Sequence, residues 1–230
     1  MSDKQTAVIV GAGSGLSRAL AERCAADGMQ VALAARDADK LSDLAAAISG
    51  RAYACDAASP KQVKTLFESI DEDFGSPDLV IFNASFRTRG PLVDLDPAEV
   101  ENALLVTCYA GFLVGQQAAK RMLRVKRGTI LFTGASASVK GYANSAPFAM
   151  GKFGLRGLAQ SMARELHPQN VHVGHVVIDG GIDGPKHAGG RGEDGLLDPA
   201  AIAETYLQLH RQHRSAWAWE IELRPWAEKF

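Results

Sequence analysis

The chain has 230 residues, of which 47% are hydrophobic, and its formal charge is −1. This length and composition suit one α/β domain with a full core and exclude the disordered class. A charge so close to zero gives no reason to expect nucleic acid or an anionic membrane as a partner.

The first residues and the cysteines indicate the compartment. The start, MSDKQTAVIVGAG, has no secretory leader pattern, because its short apolar run leads straight into glycines. No apolar run is long enough to span a membrane. The three cysteines, Cys24, Cys55 and Cys108, are dispersed and lack metal-type spacing. We therefore expect packed, reduced thiols in a cytoplasmic protein, with no metal site and no membrane partner.

Apolar runs alternate with helix-like segments along the whole chain. Because the strand runs are continuously apolar, they predict parallel strands that are buried on both faces. Repeated strand–helix units then predict one doubly wound parallel sheet of about seven strands, with helices on both faces, over residues 1–230. The predicted strands lie at 6–11, 30–36, 52–55, 78–84, 128–136, 171–178 and 218–226, and the helices at 15–27, 37–48, 60–73, 97–124, 145–167 and 199–213.

The segment VGAGSGLS, at residues 10–17, follows the first strand and opens the first helix. Gly11 and Gly15 permit a tight turn and a close approach of phosphate to the backbone, and the helix start offers free N–H groups. Ser17 stands where a third small residue is expected. In this strand–turn–helix context the pattern predicts dinucleotide binding, with Ser14 and Leu16 completing the loop. The alternative is a plain strand–helix turn.

Other predicted cofactor residues follow the next strands. The second strand ends in Ala35 and Arg36, which favours an extra ribose phosphate and hence NADP(H) over NAD(H). Asp56 follows the third strand and either accepts from an adenine amino group or caps a short turn. Asn83 and Ala84 end the fourth strand, at the sheet edge where such folds bind ligands.

Several of these motifs together resemble the short-chain dehydrogenase/reductase family. They are GAGSGLS, CDAAS, FNAS, GTILFTGAS, the helix that carries Lys152, and VVIDGGI, and the resemblance runs from about Thr6 to Asp183. It implies a Rossmann-type domain, a nicotinamide cofactor, reversible carbonyl reduction and a homodimer or homotetramer. It also implies that Lys152 holds the nicotinamide ribose and that Gly180 and Ile182 line the cofactor.

The sequence departs from the family pattern at the expected catalytic positions. Phe148 stands four residues before Lys152, where the family has the proton-donating tyrosine. Ala135 stands at the serine that polarises the carbonyl, and Cys108 at the asparagine of the preceding helix. Loss of a general acid removes roughly 10²–10⁴ in rate. Loss of an oxyanion donor removes about 10²–10³.

Five nearby side chains are candidates for a replacement proton donor. Tyr142 is the first choice, because its phenol is the same chemical group as the missing one. The other candidates are Ser136, Ser138, Ser145 and His187.

The glycine-rich stretch at 179–195 interrupts the regular pattern and predicts a surface loop, with a lid-like part at about 184–199. The alternative is a disordered connector. Near the C-terminus, Trp217, Trp219 and Trp226 fall in one short segment, which favours a homo-oligomer contact. The alternative is that they cover the chain's own core.

Two functions remain open at this point. The first is an NADP(H)-dependent oxidoreductase that transfers hydride to or from a small carbonyl or activated alkene by an unusual proton path. The second is a noncatalytic sensor or scaffold of the same fold that binds the dinucleotide. The sequence does not identify the substrate.

Overall fold

The strands form one parallel sheet. The computed structural model of the chain describes residues 4–184 and 194–227. Within them seven strands lie in the order β3-β2-β1-β4-β5-β6-β7, and every neighbouring pair is parallel. This confirms the predicted fold class. The strands are β1 Thr6–Val10, β2 Gln30–Ala35, β3 Arg51–Ala54, β4 Leu79–Phe82, β5 Thr129–Thr133, β6 His172–Ile178 and β7 Glu220–Leu223.

Helices cover both faces of the sheet. They are α1 Leu16–Ala26, α2 Ser42–Ala47, α3 Pro60–Phe74, α4 Pro97–Leu104, α5 Ala110–Val125, α6 Ala146–Leu166 and α7 Pro199–His210. The helix predicted at 97–124 is divided into α4 and α5 by a π-helical turn at Leu105–Tyr109. The helix predicted at 37–48 begins with a 3₁₀ turn at Asp39–Leu41.

Alternate residues of the central strands serve two separate cores. On β1, Val8 belongs to the core beneath α3, α5 and α6, and Ile9 belongs to the core beneath α1, α2 and α7. All residues of β1, β4, β5 and β6 are buried. The continuously apolar runs therefore reflect burial on both faces, as expected for parallel strands.

The helix starts differ in a way that matters for the site. Three helices begin with a side-chain cap followed by proline: Asp198 Oδ1, for example, accepts from Ala200 N at 2.8 Å, ahead of α7. By contrast, α1 follows Gly15 with no side-chain cap and has no acidic residue in its first turn. Its first N–H groups are therefore available to a ligand.

The C-terminal tryptophans divide between the chain's own core and the surface. The ring of Trp217 stacks on His172 with centroids 4.8 Å apart, and the guanidinium of Arg156 lies 5.5 Å from the Trp219 ring. Trp226 is 89% exposed. Two of the three rings therefore pack within the protomer. Among residues 4–184 and 194–227, no helix combines the length and the apolar character needed to cross a bilayer.

Candidate active site

The loop after β1 lies against the end of β4. Gly11 has a φ of +84°, and a Cβ added there would lie 2.5 Å from the Cα of Ala84. By contrast, a Cβ on Gly13 or Gly15 would meet nothing within 4 Å. The loop is thus tight where it contacts the sheet and open where it faces outward, as a phosphate-binding turn requires.

The hydroxyl of Ser17 fixes this loop to β4. Ser17 Oγ donates to the carbonyl of Gly11 at 3.0 Å and accepts from Asn83 Nδ2 at 2.7 Å. The backbone N–H of Asn83 donates to Val10 O at 2.8 Å. The predicted cofactor residues Gly11, Asn83 and Ala84 are therefore brought together. The reason for serine in place of a third glycine becomes clear, since its hydroxyl connects the two strand ends.

Leu16 and Ser14 have separate positions in the loop. Leu16 is the first residue of α1 and is 6% exposed, packed in the core beneath that helix. Ser14 is exposed. Leu16 thus anchors the helix start while Ser14 and Gly15 face outward.

Arg36 follows β2 directly beside this loop. Gly11 N and Ala12 N both donate to Ala34 O, at 2.9 and 3.0 Å, which places the loop two residues from Arg36. The side chain of Arg36 is exposed and makes no ion pair with a described residue. The next residue, Asp37, pairs with Lys40 at 3.0 Å. A cation is thus free beside the phosphate loop, and the neighbouring carboxylate is engaged.

Asp56 lies beside the end of β2, because Cys55 N donates to Ala35 O at 2.8 Å. Its Oδ1 accepts from Ala58 N at 3.0 Å, the local turn that the sequence left open as an alternative. This turn leaves the second carboxylate oxygen without a hydrogen bond from a described residue.

Lys152 is buried at the end of β5. It is 3% exposed, and its Nζ donates to Thr133 O at 2.6 Å. Burial, and next the charge of Arg87, lower its pKa from 10.5 to about 7. Among described residues it has no carboxylate partner. An ammonium kept in such a place fits a role in ligand binding better than a role in stability.

The expected hydroxyl positions form an apolar cluster. Phe148, Ala135 and Ala137 are all buried and pack together. The residues at the expected tyrosine and serine positions, Phe148 and Ala135, therefore belong to one buried apolar cluster. This part of the site has no side-chain proton donor of its own.

Cys108 lies in the π-helical turn and packs on α6. Its Sγ is so close that a Cβ on Gly154 would lie 2.7 Å from it. Burial raises the pKa of the thiol. Its neighbour Thr107 is fully buried, and its Oγ1 accepts from Phe86 N at 3.1 Å. The turn thus supports the loop after β4 through Thr107, while Cys108 acts as a packing residue.

A buried polar network lies behind the site, and the sequence analysis did not anticipate it. Ser138 Oγ accepts from Ala135 N at 3.1 Å and lies 3.3 Å from His175 Nε2. On the other side, His175 Nδ1 lies 2.9 Å from Glu220 Oε2, which also accepts from Arg156. Ser138 and His175 are fully buried.

Burial, above all other effects, lowers the pKa of His175 to about 4. The ring is therefore neutral at physiological pH. The order serine–histidine–glutamate resembles a nucleophilic triad, but the serine is closed off from solvent. The network holds the turn at Ala135 in place.

Arg87 is the second feature that the sequence analysis missed. It lies in the loop after β4, and its guanidinium carbon is 4.0 Å from the centroid of the Phe148 ring. Lys152 Nζ is 5.8 Å from the same centroid. The ring at the tyrosine position thus has two cations beside it. No sequence motif marks Arg87, because its role depends on a contact with a residue 61 positions further along the chain.

The structure places the candidate proton donors differently. Tyr142 is 47% exposed, and its phenol makes no hydrogen bond with a described residue. Ser138 is fully buried, as described above, and Ser145, just before α6, is 7% exposed. Ser136 is partly buried. His187 lies outside the described residues.

The segment after β6 is held by Asp179, which stands at a position where the family usually has proline. Asp179 Oδ2 pairs with Arg224 at 2.7 Å and with Lys140 at 3.3 Å. A Cβ on Gly180 would lie 2.5 Å from Pro225 Cδ, so glycine is needed there. Ile182 forms a β-bridge with Leu197. Of the lid-like loop expected at 184–199, residues 185–193 lie outside the described residues.

The residues present fit a nicotinamide dinucleotide. Strands are added to one side of β1 up to β3 and then to its other side from β4 onward, so the order of connection changes between β1 and β4. Doubly wound sheets bind ligands at this position. Open glycines and an uncapped helix start suit a pyrophosphate, and the buried ammonium of Lys152 suits ribose hydroxyls. No group of side chains suited to a metal ion occurs within 4–184 and 194–227.

Comparison with known proteins identifies the family. The family model described as short chain dehydrogenase matches residues 5–188. The chain belongs to the short-chain dehydrogenase family, and hence to a class of oxidoreductases that bind a nicotinamide dinucleotide.

Three related proteins show the extent of the similarity. The 3-oxoacyl-[acyl-carrier-protein] reductase MabA of Mycobacterium tuberculosis is 30% identical over 179 residues, which cover 78% of this chain and 70% of that protein. A crystal structure of a short-chain dehydrogenase from Rhodopseudomonas palustris has a TM-score of 0.85 and 36% identity, covering 96% of this chain and 99% of that one. A metagenomic short-chain oxidoreductase in complex with NADP has a TM-score of 0.84 and 27% identity, covering 96% and 97%.

Proposed function

We propose that this protein is an NADP(H)-dependent oxidoreductase that reduces or oxidises a small substrate without a catalytic tyrosine. The observation that carries the proposal is Lys152, a buried ammonium with a backbone carbonyl as its described hydrogen-bond partner. Holding a charge there is costly, and a bound ribose would offset that cost with hydroxyl acceptors. When bound, the nicotinamide supplies or accepts the hydride.

The preference for NADP(H) is supported by Arg36. Its side chain is exposed beside the phosphate loop, and Ala35 before it provides no carboxylate for ribose hydroxyls. A guanidinium at this position binds a ribose phosphate with charge-assisted hydrogen bonds. The metagenomic relative solved with NADP is consistent with this assignment.

The variant Arg36→Glu tests the preference directly. We expect the ratio of the NADPH to the NADH dissociation constant to rise by roughly 10- to 100-fold, the value of a few charge-assisted hydrogen bonds. Lys64→Gln, on the exposed side of α3 and paired with Glu68, is the matched control and should leave the ratio unchanged. An unchanged ratio in Arg36→Glu would remove the assignment.

The proton path is proposed to run through Lys152. With a pKa of about 7, the Nζ atom both holds and releases a proton near neutral pH, which suits a general acid. The apolar cluster of Phe148, Ala135 and Ala137 has no hydroxyl that could take this role. Tyr142 remains the alternative donor, and Tyr142→Phe should leave turnover unchanged if Lys152 supplies the proton.

The missing hydroxyls also restrict the substrate. Without an oxyanion donor from a serine and without a phenol, unactivated ketones should react slowly, by the factors given above for each group. An activated alkene, whose product carbanion takes its proton from solvent, depends less on either group. We therefore propose small activated carbonyls or alkenes as substrates.

Turnover is tested by following nicotinamide absorbance with a panel of activated carbonyls and alkenes. Oxidation of NADPH that depends on both enzyme and substrate is the expected result. Tight NADPH binding with no turnover on any member would overturn the catalytic assignment and leave the noncatalytic sensor or scaffold. The three free cysteines support the predicted cytoplasmic location.

The homo-oligomer expected from the sequence stays a proposal, with different support from that first given. Trp217 and Trp219 pack within the protomer, but a row of apolar side chains is exposed around the start of α5 and along α6. Its members are Leu105, Tyr109, Phe112, Met150 and Phe153, each at least 38% exposed. The rings of Tyr109 and Phe112 stack, with centroids 6.1 Å apart. We propose that a second copy of the chain covers this face, because exposed apolar rings gathered on neighbouring helices mark interfaces.

Size exclusion with light scattering tests the assembly. A species of 24.5 kDa would refute an oligomer. If the helix face is the contact, Phe112→Glu should give monomers, while Trp226→Glu should not. If Trp226→Glu gives monomers and Phe112→Glu does not, the contact lies at the exposed Trp226, as the sequence analysis suggested.

A further inference from the structure

Two cations that have no carboxylate partner among the described residues lie at the edge of the apolar cluster. Arg87 makes no hydrogen bond or ion pair with any described residue, and Lys152 bonds to a backbone carbonyl. Both lie beside the Phe148 ring, with Arg87 Cζ 4.0 Å and Lys152 Nζ 5.8 Å from its centroid, and the charge of Arg87 lowers the pKa of Lys152. Two adjacent like charges raise the free energy of the folded protein, and an anion bound between them would lower it.

The guanidinium is oriented by the Phe148 ring. Its Cζ lies over the ring, 4.0 Å from the ring centroid, within the range of cation–π contacts. No described residue accepts a hydrogen bond from its N–H donors, which form a planar fork and remain available to a ligand. Such a planar fork matches the two oxygens of a carboxylate.

The loop that carries Arg87 is fixed on both sides. Phe86 N donates to Thr107 Oγ1 at 3.1 Å, and Thr88 Oγ1 donates to Glu99 Oε2 at 2.5 Å. Gly90 N donates to Asn144 O at 3.1 Å, which ties the loop to the segment before α6. Arg87 itself is exposed. A charged side chain held in this way is prepared for a ligand at little further entropic cost.

We propose that Arg87 binds a carboxylate of the substrate, so that the substrates of this protein are small oxo acids or unsaturated acids. The inference names the substrate class for the proposed reaction and rests on it. Neutral Phe148 is then more than a lost tyrosine, since its ring supports the guanidinium that recognises the acid. Arg87 is a specificity-determining residue in this account.

Binding of malonate, an unreactive dicarboxylate, tests the site by calorimetry with and without NADPH. We expect the malonate dissociation constant to rise roughly 10- to 100-fold in Arg87→Gln, the value of one or two hydrogen bonds to a charged group. Arg87→Lys keeps the positive charge but lacks the planar guanidinium, so its malonate dissociation constant should lie between those of wild type and Arg87→Gln. Arg124→Gln, near the C-terminal end of α5 and also exposed, is the matched control and should bind malonate within about twofold of wild type, because charges farther apart than a Debye length are largely screened.

Acetoacetate and its methyl ester form a second pair, since they share a ketone and differ in charge. The wild type should favour the acid by at least tenfold in kcat/KM, and Arg87→Gln should lose that preference, as expected for one charge-assisted contact. Equal malonate affinity in wild type and Arg87→Gln would overturn the inference, as would no malonate binding to wild type. If the wild type binds malonate but does not bind NADPH, the proposed function is rejected and the anion site is retained.

Discussion

Replacing Lys152 by methionine should stabilise the protein while abolishing cofactor binding. Methionine has a similar length and an apolar end, so it suits a side chain that is 3% exposed. The folded state now holds a lysine with a pKa of about 7 against 10.5 in the unfolded chain. Because the folded state disfavours the protonated form, this lysine lowers stability below pH 10.5, and its full penalty applies below pH 7.

The size of the effect follows from that difference in pKa. At pH 7 the penalty is on the order of 4 kcal/mol, since each pKa unit corresponds to about 1.4 kcal/mol. Methionine removes it but leaves Thr133 O without its donor, which costs about 1–3 kcal/mol. The net gain in the free energy of unfolding is therefore roughly 1–3 kcal/mol, or roughly 3–10 °C in Tm for a chain of this length.

Urea unfolding and thermal melting, with and without NADPH, measure both the gain in stability and the loss of cofactor binding. Lys152→Met without cofactor should melt above wild type, and the gain should shrink as pH rises towards 10. NADPH should raise the Tm of wild type but not that of the variant. Lys120→Met on the exposed side of α5 is the control and should change stability little. A variant that is less stable than wild type and still responds to NADPH would refute the reasoning.

Three further results are expected. Because the folded pKa of His175 is about 4 against 6.5 unfolded, the free energy of unfolding should fall by on the order of 3 kcal/mol as pH drops from 6.5 to 4. Urea titrations should show this slope in wild type and a weaker one in His175→Gln. The double variant Phe148→Tyr, Ala135→Ser should gain at least tenfold in kcat/KM for a neutral ketone, because it restores an acid and an oxyanion donor; no gain would mean that the pocket is out of register. Gly11→Ala should lose more than about 1 kcal/mol in urea because of its positive φ and the nearby Ala84 backbone. Gly13→Ala should keep wild-type stability, and equal losses would contradict the loop geometry.

The parts of the fold that were predicted are those that depend on local pattern. β1 and β4 are continuously apolar because both faces are buried, so the strands could be read directly. The division of the long helix at Leu105–Tyr109 could not be predicted from the sequence, because no proline or glycine lies within those residues. The turn depends on packing against α6, where Gly154 admits Cys108.

Sequence analysis could predict only those residues of the candidate site that lie in recognisable motifs. Gly11 and Lys152 could be predicted as site residues because fixed spacings place them at a strand end and on a helix. His175 and Glu220 were missed because their contact joins residues 45 positions apart and follows no motif. Arg87 was missed for the same reason, as its meaning depends on the Phe148 ring that it covers.

Titration of the wild-type protein with NADPH and NADH, followed by nicotinamide fluorescence, tests the central claim most directly. The account predicts saturable binding of both, with NADPH at least about tenfold tighter, because Arg36 gains charge-assisted contacts only with the extra phosphate. Absence of binding at millimolar concentrations of either nucleotide would contradict it.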